Sequence, residues 1–213
     1  MRRLYEFLYD LLYTRLAWAY DPVSWIVSLG RWDAWRRAVL PFVQGQRVLE
    51  IGFGTGELLP ALADGGRTAV GLEPSPAMQQ VTAAKLDKPE TQALRIPRVQ
   101  GIGQQLPFAD ASFDSIVCTF PAPYILDPDL HAECARCLRA GGRLLVVEVA
   151  LVDAGPLLRL LFRLVFPPAP GAAEKFAAAT ASAGLKKSDY HIGSGPVRPL
   201  VIVSQKPDLP PAE

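Results

Sequence analysis

The stretch Val48–Gly56, VLEIGFGTG, constrains this chain more than any other. A short β-rich run, Arg47–Ile51, feeds at once into Gly52, Gly54 and Gly56, and helical character resumes over Leu58–Ala63. Glycines admit positive φ and let a ligand approach the backbone closely. A second β-rich run, Thr68–Leu72, ends at Glu73, where a carboxylate can accept two hydrogen bonds from ribose hydroxyls. Strand, glycine loop, helix, strand and acid together describe the crevice at the carboxyl ends of the strands in an open α/β sheet.

Two cofactors use such a crevice: dinucleotides and S-adenosylmethionine. The dinucleotide fingerprint needs a third glycine where this chain has Glu57. That carboxylate would sit at a helix N-terminus, where a pyrophosphate should bind, and the two anions would repel. S-adenosylmethionine carries no phosphate. An acid before the loop, Glu50, also suits a cofactor with a cationic amino-acid part. The residues therefore favour S-adenosyl-L-methionine.

The rest of the chain continues the alternation. Pro76–Leu86 reads as a helix with Pro76 in its first turn, where a missing N–H costs little. Arg95–Gly101, Asp114–Phe120 and Arg143–Ala150 read as strands, with a helix over Pro128–Leu138. Helices follow at Pro156–Phe166 and Ala172–Ala183, then β candidates near Ser188–Ile192 and Val197–Ser204. Upstream, residues 3–20 form an amphipathic pattern ended by Asp21-Pro22, and a second helical stretch runs from about Arg31 to Phe42. Strands alternating with helices imply a mostly parallel sheet covered on both faces. No linker splits the chain, so a single domain over 1–213 is expected: a helical lid at 1–45, a cofactor-binding core at 46–150, and substrate-side helices with the last strands at 151–206.

Composition narrows the partners. Lys+Arg is 22 against Asp+Glu 21, a net charge of +1, which disfavours duplex nucleic acid because phosphate contacts supply most of such affinity. Three Cys residues cannot form a closed disulfide set and suggest reduced thiols in a cytoplasmic protein. No apolar run approaches the ~20 residues that a membrane-spanning helix needs.

Val48–Gly56, Glu73, LPFADASFDSIV (Leu106–Val117) and ECARCLRAGGRLLVVEV (Glu133–Val149) resemble successive motifs of class I S-adenosylmethionine-dependent methyltransferases. YDPVSWIVSLGRWDAWRR, Tyr20–Arg37, is similar to the opening segment of the ubiquinone/menaquinone C-methyltransferase family, and some bacterial phospholipid N-methyltransferases are also similar. The resemblance implies a Rossmann-like seven-stranded sheet in the order 3-2-1-4-5-7-6, with the seventh strand antiparallel. It implies methyl transfer to a small hydrophobic or lipidic acceptor, either a quinone-precursor carbon or a phospholipid amine. A cofactor-binding regulatory protein and a nucleic-acid methyltransferase are the other readings.

Carried over by motif position, Gly52, Gly54 and Gly56 line the methionine side, Glu50 faces the amino group, and Glu73 holds the ribose. Pro74 and Met78 flank adenine, Gly103 and Gln104 approach it from the loop after strand three, and Phe120 ends strand four beside the sulfonium. Ile102 stands where the family usually has the Asp that binds the adenine amino group, so a backbone carbonyl, Gln104 or Gln105 must take that bond.

Methyl transfer from a sulfonium is a one-step displacement for which alignment supplies most of the acceleration. A ring-carbon or phenol acceptor still needs a base. His191 is the candidate base, Tyr20 is expected to orient the methyl group or the acceptor, and His131 is expected on an exposed helix face. Tyr20 and Tyr124 are expected to shape the acceptor pocket. Cys134 and Cys137 form a lone C-x-x-C with no second pair for zinc, and buried thiols are expected. Pro156–Phe166, with Arg159 and Arg163 on one face, and the N-terminal helix would form an apolar lid over the site or lie in a membrane interface.

Overall fold

The computed structural model describes residues 16–121, 123–151, 155–156, 170–194 and 197–208. Most of the expected N-terminal helix, nearly all of the helix expected at Pro156–Phe166, and Ala122 lie outside these residues.

Seven strands form one sheet: β1 (Arg47–Ile51), β2 (Thr68–Leu72), β3 (Arg98–Val99), β4 (Phe113–Thr119), β5 (Leu138–Leu151), β6 (Lys186–His191) and β7 (Val197–Gln205). Their order is β3-β2-β1-β4-β5-β7-β6, as the resemblance implied. β1 to β5 pair in parallel, and β7 runs antiparallel to both β5 and β6. Among the described residues, five α-helices lie downstream of β1: α3 (Leu59–Ala63), α4 (Pro76–Leu86), α5 (Pro89–Gln92), α6 (Pro128–Cys137) and α7 (Ala172–Ser182). Two described α-helices precede it, α1 (Tyr20–Val27) and α2 (Trp32–Arg37).

The alternation within each strand sets the two layers. On one face Leu49, Ile51, Ile116, Leu144 and Val146 pack against Leu130, Cys134 and Cys137 of α6 and Phe176 of α7. On the other, Val48, Val117, Leu145, Val147, Val201 and Val203 meet Ala38, Val39, Leu58 and Leu62. Strands buried on both faces read as continuous apolar runs, which is why β1, β4 and β5 were visible without periodicity. Each such leucine or isoleucine contributes about 1.5–3 kcal/mol by leaving water.

Four boundaries differ from the sequence reading. Asp21-Pro22 does not end a helix; it sits in the first turn of α1, where Pro22 forfeits an N–H that has no intrahelical partner anyway. The stretch from Arg31 breaks after Arg37, and Leu40–Phe42 forms a separate 3₁₀ turn around Pro41. The third strand pairs only at Arg98–Val99, because it is the sheet edge and needs partners on one side alone. β5 begins at Leu138, five residues early, with a register shift against β4 between Phe113 and Ser115.

Candidate functional site

β1, β2 and β4 end side by side on one edge of the sheet, and the loops that leave them enclose a cavity of about 470 Å³. This is within the range of small-molecule sites. Its floor is Ile51–Thr55 after β1 and Glu73–Pro76 after β2. Gly101–Gln104, Thr119–Pro121 and Tyr124 close the sides, and Tyr20, Trp32 and Arg36 reach over from α1 and α2.

The glycine loop is tied into the sheet at both ends. Gly52 N–H donates to the Leu72 carbonyl at 2.7 Å, and the Gly54 carbonyl accepts from Thr82 Oγ1 at 2.9 Å. Both glycines take positive φ, +72° and +55°. A Cβ on Gly52 would stand 2.5 Å from the Tyr124 hydroxyl, whereas one on Gly54 would meet no atom within 4 Å. The space beside Gly54 is therefore open. Phe53 between them is buried against Gly71 of β2, where a Cβ would come within 2.5 Å of its ring. That close approach anchors the loop from below.

Glu73 is 3% exposed and lines the cavity. Its Oε2 accepts from Gly54 N–H at 3.1 Å and its Oε1 from Ser75 N–H at 2.9 Å. Each oxygen keeps acceptor capacity, because a carboxylate oxygen has two lone pairs. Burial raises the Glu73 pKa, and the two backbone donors oppose that rise. A buried carboxylate clamped by the glycine loop and still able to accept is matched to a vicinal diol. The nucleoside of S-adenosylmethionine supplies one, so these residues fit that cofactor.

Glu50 lies behind the wall. It is fully enclosed, its Oε2 has no hydrogen-bond partner among the described residues, and burial pushes its pKa up to about 8 against the lowering pull of Arg36. A neutral carboxyl here becomes a carboxylate when a cation arrives nearby. Arg36 is also buried, lines the cavity, and its Nε lacks a partner among the described residues.

The helices that reach over the cavity are fastened by one ionic cluster. Asp21 accepts from Thr55 Oγ1 at 2.7 Å and from Lys85 Nζ at 2.5 Å, and Lys85 also bonds Glu57. α1, the glycine loop and α4 are thereby joined at a single point, directly after Tyr20. Glu57, which argued against a pyrophosphate, is engaged by this lysine. On α2, Trp32 lies 4.2 Å, centroid to centroid, from the ring of Phe120. Phe120 itself sits at φ +47°, a conformation costly for a non-glycine residue, and it turns the end of β4 toward the cavity.

The cavity thus gathers Gly52, Gly54, Glu73, Pro74, Gly103, Gln104, Phe120, Tyr20 and Tyr124 from the expected set. Gln104 donates through Nε2 to Asp127 at 3.2 Å, and the Tyr124 hydroxyl faces the Ile51 carbonyl at 3.5 Å. Glu50, Gly56 and Met78 are not part of its wall. Gly56 packs against Thr82, where a Cβ would overlap the threonine methyl, so its role is helix–loop packing. Met78 is wholly buried within α4, one turn below Pro74–Pro76.

The two histidines change places with expectation. His131 is not exposed: it is fully buried in α6, with Nε2 2.8 Å from the Ile125 carbonyl, Nδ1 3.3 Å from Thr180 Oγ1, and an edge contact to Phe176. Its burial lowers its pKa. His191 is exposed at the end of the edge strand β6 and does not line the cavity. Cys134 and Cys137 are buried, and burial raises both thiol pKa values.

Sequence reasoning missed Arg36 and the Asp21–Lys85–Glu57 cluster. Arg36 stood within the quoted motif as part of a Trp-Arg pair, which was a usable signal. The cluster joins residues 64 and 28 positions apart and left none.

Residues 49–146 match the methyltransferase domain family. The chain is 34% identical, over 69% of its length and 59% of the relative's, to the demethylmenaquinone methyltransferase of Renibacterium salmoninarum. It is 30% identical, over 81% of its length and 70% of the relative's, to that of Clavibacter sepedonicus. A ubiquinone/menaquinone biosynthesis C-methyltransferase from Paracoccus denitrificans is 32% identical over 71% of this chain and 62% of its own. The chain spans about three fifths to two thirds of the length of the first curated relatives it matches. Among solved structures, an S-adenosylmethionine-dependent methyltransferase from Thermotoga maritima superposes with a TM-score of 0.67 at 20% identity, covering 92% of this chain and 98% of that one. The geranyl diphosphate C-methyltransferase of Streptomyces coelicolor A3(2) superposes at 0.65 with 14% identity, covering 85% and 82%. Those two structures share the fold, a Rossmann-like methyltransferase sheet. By sequence similarity, the chain belongs to the class I S-adenosylmethionine-dependent methyltransferases of the ubiquinone/menaquinone C-methyltransferase type.

Proposed function

We propose that this protein transfers a methyl group from S-adenosylmethionine to a carbon of a hydrophobic, quinone-precursor-like ring. The observation that carries the reading is the cavity: a diol-binding carboxylate and an open glycine loop at one end, and aromatic side chains with one tyrosine pair at the other. When bound, the cofactor supplies an electrophilic methyl on a sulfonium. Everything else falls to the chain's own residues. Glu73 accepts from the ribose hydroxyls, Gly52 and Gly54 leave backbone exposed to the methionine portion, and Pro74 and Gly103 border adenine. Phe120, Trp32 and Tyr124 form apolar walls that exclude water and hold the acceptor against the methyl, which is where most of the acceleration arises. Tyr20, fixed over the cavity by its neighbour Asp21, is the group placed to orient the acceptor. The names of the curated relatives favour a ring carbon over a phospholipid amine.

A membrane surface is the proposed source of the acceptor. No described helix is long and apolar enough to cross a bilayer. The outer side of the α1 region nevertheless exposes Trp18 (71%), Trp25 (64%), Ile26 (64%) and Leu29 (86%) on the element that carries Tyr20 inward. Tryptophans and aliphatics grouped in this way suit the headgroup boundary.

The test is incubation with methyl-labelled cofactor and demethylated quinone precursors, with a phospholipid extract and an RNA pool as competitors, followed by mass identification of the product. Labelled quinone supports the proposal. Label in a phospholipid or in RNA overturns the acceptor assignment, and cofactor binding with no label anywhere favours a regulatory protein. Flotation with vesicles, abolished by Trp25→Ser together with Ile26→Ser, tests the membrane source.

A further inference from the structure

Tyr124 borders the cavity, yet the turn that carries it is held by a residue buried behind the wall. That turn is a single 3₁₀ segment, Pro123–Leu126, between β4 and α6, and it brings the Tyr124 hydroxyl over Gly52, where a Cβ would stand 2.5 Å away. So short a segment has poor hydrogen-bond geometry and relies on outside partners. The Tyr124 carbonyl accepts from Asp127 N–H at 3.0 Å. The next carbonyl, that of Ile125, has lost both of its helical donors. Three residues on stands Pro128, which has no N–H. Four residues on stands Asp129, whose N–H is taken by Asp127 Oδ1 at 3.0 Å. Ile125 is buried, and a buried carbonyl without a donor is costly. The missing donor is the His131 ring, whose Nε2 lies 2.8 Å from the Ile125 oxygen.

The ring is fixed from its other side. A carbonyl only accepts, so Nε2 carries the hydrogen, and Nδ1 of the neutral ring is an acceptor. Thr180 Oγ1 of α7 faces Nδ1 at 3.3 Å, and Phe176 of the same helix meets the ring edge-on, 4.9 Å between centroids. Burial lowers the His131 pKa and favours the neutral ring, against the opposing pull of the Ile125 bond and the Asp127 charge. Packing alone would be served by an apolar side chain of similar size, whereas here both ring nitrogens are engaged. We infer that His131 is a positioning residue for methyl transfer: braced by Thr180, it holds the Ile125 carbonyl, and with it the Tyr124 ring, at the height over Gly52 that seats the acceptor against the methyl. The inference rests on the proposal that the acceptor lies at the Tyr124 end of the cavity. It also gives α7, which contributes nothing to the cavity wall, a part in shaping that end.

The experiment compares wild type with His131→Leu, His131→Gln and His131→Asn, by calorimetry with S-adenosylhomocysteine and by steady-state methyl transfer to a demethylated quinone precursor. His131→Leu should lose about 3- to 10-fold in kcat/KM for the acceptor, the scale of one neutral hydrogen bond, with S-adenosylhomocysteine affinity held within about twofold. Glutamine brings an amide N–H to the place of Nε2, so His131→Gln should recover most of the loss. Asparagine reaches only the place of Nδ1, so His131→Asn should not. Tyr124→Ala, made alone and together with His131→Leu, closes a cycle in which the pair should be no slower than Tyr124→Ala by itself. A histidine that only supports the core would lower the melting temperature without separating Gln from Asn on the acceptor, and its effect would add to that of Tyr124→Ala; either result overturns the inference. The wild-type ring provides a test that needs no variant: nitrogen NMR should show the neutral Nε2–H tautomer, and an Nδ1–H tautomer overturns the assignment, because Ile125 would then lack its donor. If wild type methylates no quinone precursor, the acceptor reading fails and this inference with it. If wild type transfers methyl and the histidine variants keep its rate, the inference alone fails.

Discussion

The two ends of the cavity are built by different means. The cofactor end rests on strand termini: Gly52 bonds into β2, Glu73 bonds back to Gly54, and Phe53 is sunk against Gly71. These contacts tie the loop directly to the strand ends. The acceptor end rests on short helices brought over from upstream, held by ring contacts such as Trp32–Phe120 and by the half-buried Asp21–Lys85–Glu57 cluster. Ion pairs at that exposure contribute only ~0.2–1 kcal/mol each. One end is bonded into the sheet, whereas the other is more lightly fastened.

The comparison breaks most decisively at Gly54. Gly54→Val should lower affinity for S-adenosylhomocysteine by about a hundredfold or more, the equivalent of about 3 kcal/mol for forcing a side chain into occupied space. Its stability should fall only by the ~1–2 kcal/mol that a side chain costs at φ +55°, since a Cβ there meets no protein atom within 4 Å. A loss of stability well beyond that would mean the glycine serves the fold and not the ligand.

Glu73→Ala should weaken the same ligand by about 1.5–3 kcal/mol, or about 10- to 100-fold, and also lower the melting temperature, because Gly54 N–H and Ser75 N–H lose their acceptor. Normal binding in this variant would remove the ribose assignment.

Proton linkage sharpens the contrast. The Glu50 pKa is raised to about 8 by burial, so between its ordinary carboxylate value and about 8 the folded protein holds a proton that the unfolded chain has released. The unliganded protein should therefore lose stability as pH rises across that window and level off above 8. A ligand carrying an ammonium favours the ionised carboxylate, so binding below pH 8 should expel a proton. Affinity for S-adenosylhomocysteine should then rise by up to about tenfold per pH unit toward 8 and flatten beyond it. Glu50→Gln should abolish the slope, and calorimetry in buffers of different ionisation enthalpy would count the proton. A slope that survives Glu50→Gln belongs to another group.

Much of the cofactor end was legible in the sequence, and little of the acceptor end was. The glycine loop and Glu73 are adjacent to strands that announce themselves as apolar runs, so local pattern and the family resemblance converged on the same crevice and on the strand order. Position in the motif was less informative about depth: Glu50 and Met78 lie behind the cavity wall, and Gly56 faces Thr82, because a strand or helix end does not reveal which way its last side chains turn. His131 was misplaced although a signal existed. It lies three residues before Cys134 and seven before Leu138, on the apolar side of α6, and its polar character masked that spacing. Asp21, Lys85 and Glu57 could not be paired from sequence, because the fold alone brings α1 over the glycine loop.

Smaller effects belong to the acceptor end. Asp21→Asn should reduce turnover by about two- to fivefold, in keeping with a partly exposed ion pair, and leave S-adenosylhomocysteine affinity within about twofold. Loss of cofactor binding in that variant would show that the two ends are not separable. His191→Gln should change turnover by less than about twofold, because the residue is exposed on the edge strand; a collapse of the rate would show that it reaches the acceptor.

The most direct measurement of the central claim is a pair of titrations on one preparation of Tyr20→Phe: affinity for S-adenosylhomocysteine by calorimetry, and single-turnover methyl transfer to a demethylated quinone precursor by mass spectrometry. If the strand-end site binds the cofactor and the overlying helices serve the acceptor, the affinity stays at the wild-type value while the methyl-transfer rate falls by about tenfold, the scale of losing one hydrogen bond that positions the acceptor. Equal losses in both, or an unchanged rate with weakened cofactor binding, would contradict the division.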